Sequence, residues 1–304
     1  MRISQLLTTS KRPFPSLEIV PPLSKLVKED LYRMLDVFEG GCKYVNVTSH
    51  RDEFQFVPDG NGGFTRHLVR NRISPVAVCS VILARYDVEV IPHVICGGYS
   101  AEEIDSLLSD FNFMGINNVM ALRGDSLVGE KRFSPVSGGY AHASELVEGI
   151  RRFETENGCH FCIGVGGYPE KHFEAVNIET DIKNLALKVK AGADYITTQM
   201  FFDNEKFYDF VARCRAEGIT VPVVPGIKPL TTEKQLSYLP SAFHISLPVE
   251  LTSVASGSKE KIKDAGLEWC VAQCKDLIAH GFPNIHYYVV NSAQSVKSVI
   301  DKVF

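Results

Sequence analysis

The sequence predicts a single α/β domain, a (β/α)8 TIM barrel, and three observations predict it. Short apolar runs alternate with helical stretches along the whole chain, with no block of consecutive strands. Eight such runs occur within 304 residues, a length that one barrel accommodates. Each run ends in polar residues, as barrel strands do where their C-terminal ends build a site. A doubly wound open sheet is the alternative. It is disfavoured because no Gly-x-Gly-x-x-Gly opens a first helix.

Leu17-Glu18-Ile19-Val20-Pro21-Pro22 opens the series, an apolar run with one carboxylate set into it and two prolines closing it. Leu26, Leu31, Leu35, Val37 and Phe38 follow at helical spacing and stop at Gly40-Gly41. Lys43–Thr48 is the second strand, with its polar exit in Ser49-His50-Arg51-Asp52-Glu53. Gly60–Gly63 reads as a loop tip and, outside a strand-to-helix context, not as a phosphate loop. Pro75 interrupts the pattern from Arg66 to Tyr86, part of which should be helix. Val88–Cys96 is the third strand and carries His93. Ser100 caps a helix running to about Met114, and Glu103 completes a capping box.

Asn118–Leu122 is the fourth strand, a buried run that stops at Arg123-Gly124-Asp125. The polar loop from there to about Tyr140 is long enough to act as a lid. Ala143–Phe153 is helical, and His160–Gly167 is the fifth strand, exiting at Tyr168-Pro169-Glu170-Lys171-His172. An amphipathic helix spans Asn177–Ala191 and ends at Gly192. Asp194–Gln199 is the sixth strand, exiting at Met200-Phe201-Phe202-Asp203, and Glu205–Arg215 is helical. Thr220–Val224 is the seventh strand, exiting at Pro225-Gly226. Leu230–Leu247 holds a helix and irregular chain, Lys259–His280 is a long helix, and Ile285–Val290 is the eighth strand, exiting at Asn291. Ser292–Val303 closes the chain as a helix.

Composition narrows the function. The chain is 45% hydrophobic and 22% charged, with a net charge of −4 and no run of basic residues, which argues against a nucleic-acid partner. No apolar run reaches transmembrane length, and Met1-Arg2-Ile3-Ser4-Gln5-Leu6-Leu7 turns polar too soon for a signal peptide. Eight cysteines scattered through apolar segments, among them Cys79, Cys96, Cys162 and Cys214, suit reduced thiols and a cytoplasmic location. Cys159-x-x-Cys162 and Cys270-x3-Cys274 lie too far apart, and lack the spacing, for a zinc ribbon, so no metal is expected.

In a barrel, Glu18, Thr48, His93, Arg123, Gly124, Asp125, Tyr168, Gln199 and Asn291 should converge on one face. Several interrupt apolar runs, and a buried polar group is costly unless paired, so a site explains them better than packing does. Glu18 lies between Leu17 and Ile19; desolvation there should raise its pKa towards working pH, as a general acid requires. Read alone, it equally fits a salt-bridged glutamate. Asp125 fits a carboxylate that stabilises developing positive charge, or else a helix cap or a partner for Arg123. Asp181, Asn184 and Lys188 at i, i+3 and i+7 share a helical face, which suits sugar and pyrophosphate contacts but is more commonly a solvated face. His93 and His172, taken alone, are ordinary core or surface histidines. No lysine stands at a strand exit in the manner of a Schiff-base aldolase.

These pieces resemble the methylenetetrahydrofolate reductase family in its short, catalytic-domain-only form. The matching segments are Glu18-Ile19-Val20-Pro21-Pro22, Asn46-Val47-Thr48, Pro92-His93-Val94, Ala121-Leu122-Arg123-Gly124-Asp125, Ala143-Ser144-Glu145-Leu146-Val147 and Tyr168-Pro169-Glu170-x-His172. Asp181, Asn184 and Lys188 follow, then Thr198-Gln199-Met200-Phe201-Phe202-Asp203 and Pro225-Gly226-Ile227-x-Pro229. The resemblance implies a barrel over residues 1–304 with no regulatory domain, non-covalent FAD, and NADH or NADPH as donor. It implies reduction of 5,10-methylenetetrahydrofolate to 5-methyltetrahydrofolate, in a homo-oligomer. The implied flavin contacts are Thr48, His93, Arg123, Gly124, Asp125, Ala143, Tyr168, His172, Ala175, Asp181, Asn184 and Lys188. The implied folate contacts are Asp125, Gln199 and Gln235, and the implied proton donor is Glu18.

Three positions depart from the family. Ser49-His50-Arg51 stands where some relatives have Tyr-Gly-Ala, Ser292 where an arginine is expected to meet the folate, and Leu239 where an aromatic stacks on ligand. Two other readings remain: a flavin-free barrel enzyme such as an aldolase or a pterin methyltransferase, and a non-catalytic folate- or flavin-binding subunit.

Overall fold

The structure, a computed structural model, describes residues 1–23, 25–38, 40–50, 53–69, 71–126, 132–253, 258–290 and 292–304. In chain order its elements are α1 (Ile3–Thr9), β1 (Phe14–Ile19), α2 (Lys28–Leu35), β2 (Tyr44–Val47), β3 (Glu53–Pro58), β4 (Phe64–Val69), α3 (Pro75–Leu83), β5 (Glu89–Ile95), α4 (Ala101–Phe113), β6 (Asn118–Leu122) and α5 (Ala143–Asn157). There follow β7 (Cys162–Gly167), α6 (Ile178–Lys190), β8 (Tyr195–Met200), α7 (Asn204–Ala216), β9 (Val223–Ile227), α8 (Glu233–Phe243), α9 (Val249–Thr252), α10 (Lys259–Ala279), β10 (Asn284–Tyr288) and α11 (Ala293–Val303).

All strands but β3 and β4 pair in parallel and close on themselves in the order β1-β10-β9-β8-β7-β6-β5-β2. Closure through β1 and β2, with Leu17 opposite Val45 and Ile19 opposite Val47, rules out the open sheet. Strand alternation divides the side chains. Leu17, Ile19, Val45, Val47, Val119, Ala121, Ile163 and Val165 face outward into the main core beneath the helices. Phe14, Tyr44, Ile91, Met120, Cys162, Tyr195 and Val224 form a second cluster inside the N-terminal half of the barrel.

The helix α1 was not anticipated, because seven residues are too few to show a periodic face. It covers the N-terminal end of the barrel with buried Ile3, and Asn118 Oδ1 accepts from the Ile3 amide at 2.9 Å. Asn118 thus serves closure of the barrel floor. The β3–β4 hairpin was likewise not read as strands. Gly60–Gly63 is its tip, where Asp59 Oδ1 accepts from the Asn61 and Gly63 amides at 2.8 and 2.9 Å. The predicted box at α4 is present, with Glu103 N donating to Ser100 Oγ and Ser100 N to Glu103 Oε2. Among the described residues no helix is long and apolar enough to cross a membrane.

One boundary error matters for function. The seventh barrel strand does not exit at Pro225-Gly226 but runs on to Ile227. Pro225 has no N–H to give the ladder, and the β8–β9 register shifts between Thr197 and Met200. Thr198 Oγ1 accepts the Gly226 amide at 3.0 Å, so the strand continues past the proline and delivers Lys228 to the mouth.

Candidate active site

The C-terminal mouth gathers the expected strand ends. On the inner face of β1, Ser16 and Glu18 alternate with outward Leu17. Glu18 Oε2 stands 3.5 Å from His93 Nε2 of β5 and 3.7 Å from His286 Nε2 of β10. Beneath it runs a column of polar groups. His286 Nδ1 lies 3.0 Å from Ser16 Oγ, Asn284 Nδ2 donates to Ser16 Oγ at 3.3 Å, and Tyr44 OH donates to Asn284 Oδ1 at 2.6 Å. Asn46 Nδ2 lies 3.3 Å from His286 Nε2. Ser16, Asn46, Asn284 and His286 are all buried.

This environment corrects the expected direction of the Glu18 pKa. Burial pushes it up, and is the largest single influence, but the nearby His286, with His93 and His50, holds the carboxyl below its usual value. The sequence showed the apolar neighbours Leu17 and Ile19 and not the histidines brought from other strands. His93 moves in the opposite sense from a charged partner. Burial drops its pKa to about 4, so it is neutral at pH 7. Its Nε2 is buried and makes no hydrogen bond.

The other half of the mouth is lined from β6, β7 and α6. Gly124 follows β6 with φ +82°, a conformation that favours glycine, and a Cβ there would approach Ile95 Cβ to 3.4 Å. Arg123 pairs with Glu174 and lies 5.0 Å over the Phe133 ring. Asp125 therefore does not serve Arg123, nor does it cap a helix: it is exposed, with no hydrogen bond or ion pair among the described residues. Tyr168 meets the His172 ring edge-on at 4.8 Å, and burial raises its hydroxyl pKa to about 12. His172 Nδ1 accepts from the Glu174 amide at 3.2 Å, and Asp181 Oδ2 accepts from the His172 amide at 2.9 Å. Lys188 Nζ donates to Gly166 O at 2.8 Å. Burial, with Arg123 adding and Asp181 opposing, lowers its pKa to about 8.

These residues fit a bound dinucleotide. Arg123, paired with Glu174, and Lys188, without a carboxylate within ion-pair distance among the described residues, are two cations of the kind that hold a pyrophosphate. Asp181 and exposed Asn184 share their helical face. His93 Nε2, 3.5 Å from Glu18 Oε2, is a buried polar atom without a hydrogen bond.

The remaining expected residues differ in their employment. Thr48 Oγ1 lies 3.0 Å from His50 Nε2. Ala143 opens α5, and Ala175 N donates to His172 O in the loop before α6. Gln199 Oε1 accepts the Met200 amide, and Gln235 Oε1 accepts the Thr231 and Thr232 amides as the cap of α8, which leaves their amide N–H groups without an acceptor among the described residues. Leu239 is buried with Met200, Phe202 and Leu230, and Ser292 Oγ is buried without a partner. Phe201 stacks on Phe207 at 4.9 Å and belongs to the core. The eight cysteines are free. Asn291, Arg51, Asp52 and residues 127–131 of the predicted lid, which runs to about Tyr140, lie outside the described residues.

Sequence reasoning missed Ser16, His286 and Lys228. The period of two that marks Glu18 also marks Ser16, and Asn284, His286 and Tyr288 alternate in the same way. Lys228 does stand at a strand exit. It is 6% exposed, immediately past β9, and was hidden by ending the strand at Pro225-Gly226.

A family model described as methylenetetrahydrofolate reductase matches residues 2–303. Methylenetetrahydrofolate reductase (NADH) 1 of Arabidopsis thaliana is 33% identical over 300 residues, covering 94% of this chain and 47% of that protein. The 5,10-methylenetetrahydrofolate reductase of Pectobacterium carotovorum subsp. carotovorum is 30% identical over 92% of this chain and 86% of its own. The chain spans about half the length of its eukaryotic relatives. A solved Clostridium thermocellum protein, described as binding two copies of 5-methyl-5,6,7,8-tetrahydrofolic acid, superposes with a TM-score of 0.66 at 14% identity, over 100% of this chain and 99% of that one. That likeness bears on the fold.

Proposed function

The chain belongs to the methylenetetrahydrofolate reductase family, and from that premise we propose that it reduces 5,10-methylenetetrahydrofolate to 5-methyltetrahydrofolate, with FAD as cofactor and NADH or NADPH as donor. The observation that carries the reading is the arrangement of the mouth. Glu18, a carboxylate beside two histidines, stands at the end of β1, and the half lined from β6, β7 and α6 carries Arg123, paired with Glu174, and the buried cation Lys188.

Bound in that pocket, FAD would supply a two-electron carrier between the nicotinamide and the folate. Arg123 and Lys188 would hold its pyrophosphate, Asp181 and Asn184 its sugar hydroxyls, and Thr48, His93, Gly124, Tyr168, His172, Ala143 and Ala175 its remaining surface. Gln199 and Gln235 would present amide N–H groups to the pterin.

The folate carbon to be reduced is a neutral aminal and a poor hydride acceptor. Glu18 gives its proton to N10, the carbon–N10 bond breaks with its electrons going to that nitrogen, and an N5 iminium remains to accept hydride. Asp125, exposed and unpaired among the described residues, favours this cation. Glu18 is held ionised in the ligand-free mouth, so the acid form has to be produced by the substrate. Folate seated over the carboxyl excludes water and adds desolvation, which already acts upward on this group.

The test is spectroscopic. FAD-loaded protein should bleach anaerobically with NADH or NADPH and regain its absorbance when methylenetetrahydrofolate is added. Protein that binds no flavin, or bleached protein that the folate fails to reoxidise, would overturn the reading.

A further inference from the structure

Glu170 is left without a task by the reaction above. It is the third residue past β7, its side chain is 11% exposed, and its carboxylate is filled from two distant segments. Lys206 Nζ of α7 donates to Oε2 at 2.5 Å, Ser246 Oγ donates to Oε2 at 2.6 Å, and the Ser246 amide reaches both oxygens at 3.1 Å. Lys206 donates to Ser246 Oγ as well, so the three groups close on one another. An exposed ion pair contributes little, whereas a mostly buried carboxylate that accepts from an ammonium, a hydroxyl and a backbone N–H is a strong and directional joint. A second joint lies close by in the chain. The Phe173 ring stacks on His172 at 4.8 Å and on His244 at 4.9 Å.

Both joints connect the same two segments. The loop between β7 and α6 carries Tyr168, His172 and Ala175, which the reading above sets against the flavin. His244 and Ser246 follow α8, the helix that bears Gln235, set against the pterin. The core holds α8 lightly. Of its described side chains Leu239 alone is fully buried, packed with Met200, Phe202 and Leu230. Its start is tied to β9 through buried Leu230 and through the Gln235 cap on the Thr231 and Thr232 amides. A rigid rod anchored at one end keeps its direction only when the far end is held too, and the far end of α8 is held by Glu170 and Phe173.

We propose that Glu170 is a positioning residue for the folate, whose carboxylate pins the chain after α8 to the cofactor loop and so fixes the direction in which α8 presents Gln235. The inference rests on the reading of this mouth as a flavin and folate site. Glu170 touches neither ligand in this account. Its effect passes through α8, so it belongs to the binding of the second substrate and not to hydride transfer from the nicotinamide.

The test separates those steps by stopped flow on FAD-loaded protein. Glu170→Ala should raise the methylenetetrahydrofolate concentration that half-saturates reoxidation of the reduced flavin by roughly tenfold, with the limiting rate and the rate of flavin reduction by NADH or NADPH within roughly twofold of wild type. Glu170→Gln keeps an oxygen for the Ser246 amide and loses the charge that meets Lys206, so its shift should be smaller. It also covers a failure of Glu170→Ala to fold. Lys206→Met, which leaves Glu170 with Ser246 alone, should fall between wild type and Glu170→Ala. Half-saturation unchanged in the Glu170 variants overturns the proposal. So does a loss of FAD and of the nicotinamide half-reaction in step with the folate effect, since Glu170 would then serve only to hold the loop. Wild-type protein whose reduced flavin the folate fails to reoxidise would instead remove the reading on which the proposal rests.

Discussion

His286 joins the mouth of the barrel to its interior, with Nε2 3.7 Å from Glu18 Oε2 and Nδ1 3.0 Å from Ser16 Oγ. A single buried ring therefore connects the carboxylate to the column that ends at Asn284 and Tyr44. Replacing His286 by leucine leaves Ser16 and Asn46 short of a partner in a dry interior. The expected loss is about 1–3 kcal/mol of stability, read as a lower urea midpoint. Because His286 acts downward on the Glu18 pKa, that pKa should also rise. A folded variant with wild-type stability would mean that water replaces the ring at no cost.

Glu18→Gln keeps a hydrogen-bonding side chain and removes the transferable proton. Bound FAD and its reduction by NADH or NADPH should be retained, and folate turnover should fall by roughly 100-fold or more, the usual worth of a positioned acid. Stopped-flow measurement of the two half-reactions separates these outcomes. Equal losses in both would place Glu18 in cofactor binding instead.

The alternation of apolar strands and helices was legible because it is written locally, in periods of two and 3.6 residues. So were Glu18, Asp125 and the 181-184-188 face, since each is a polar residue against a regular pattern. What was not legible came from distant strands. The fields of His93 and His286 on Glu18 join residues 75 and 268 positions away, and their combined effect reversed the direction expected from the apolar neighbours alone. The fate of Arg123 depended on Glu174, 51 residues on, and not on Asp125. Lys228 was concealed by a proline inside a strand, a place where the ladder rule predicts an end.

Asp125→Asn tests the exposed carboxylate. With no partner to lose among the described residues, the change is electrostatic. It should raise the potential of bound FAD by roughly 30 mV, the two-electron equivalent of about 1.4 kcal/mol, and slow folate reduction by roughly tenfold. Potentiometric titration against a reference dye gives the first value. An unchanged potential would put Asp125 beyond reach of the ring.

His93 predicts acid sensitivity. Its folded pKa, about 4, lies below the unfolded value of 6.5, so the unfolded chain binds more protons between these limits. The stability is complete above pH 6.5 and is lost as pH falls towards 4, by about 3 kcal/mol for this group. Glu18, also lowered on folding, acts in the same direction at the acid end. Urea midpoints taken across this range should decline for wild type and decline less for His93→Gln. Parallel curves for the two proteins would contradict the assignment.

Lys188 predicts a conflict between stability and function. Its pKa is about 8 in the folded protein against 10.5 in the unfolded chain, so at pH 7 the unfolded state is the better host for the charged form. The sign follows: stability gained from this residue is present above 10.5, declines as pH falls towards 8, and is absent at pH 7, where the buried charge is a net cost. Lys188→Met keeps the aliphatic stem that lies near Tyr168 and removes that charge. The apoprotein should therefore gain about 1–3 kcal/mol at neutral pH, seen as a higher melting temperature, with the gain shrinking as pH rises past 8. FAD binding should move the other way, weakening by roughly 10- to 100-fold as one of two pyrophosphate cations is lost. A charged residue kept at a site where methionine would be more stable has to be explained by a ligand anion. If Lys188→Met lost stability and bound FAD as tightly as wild type, Lys188 would be a tether to Gly166 O and nothing more.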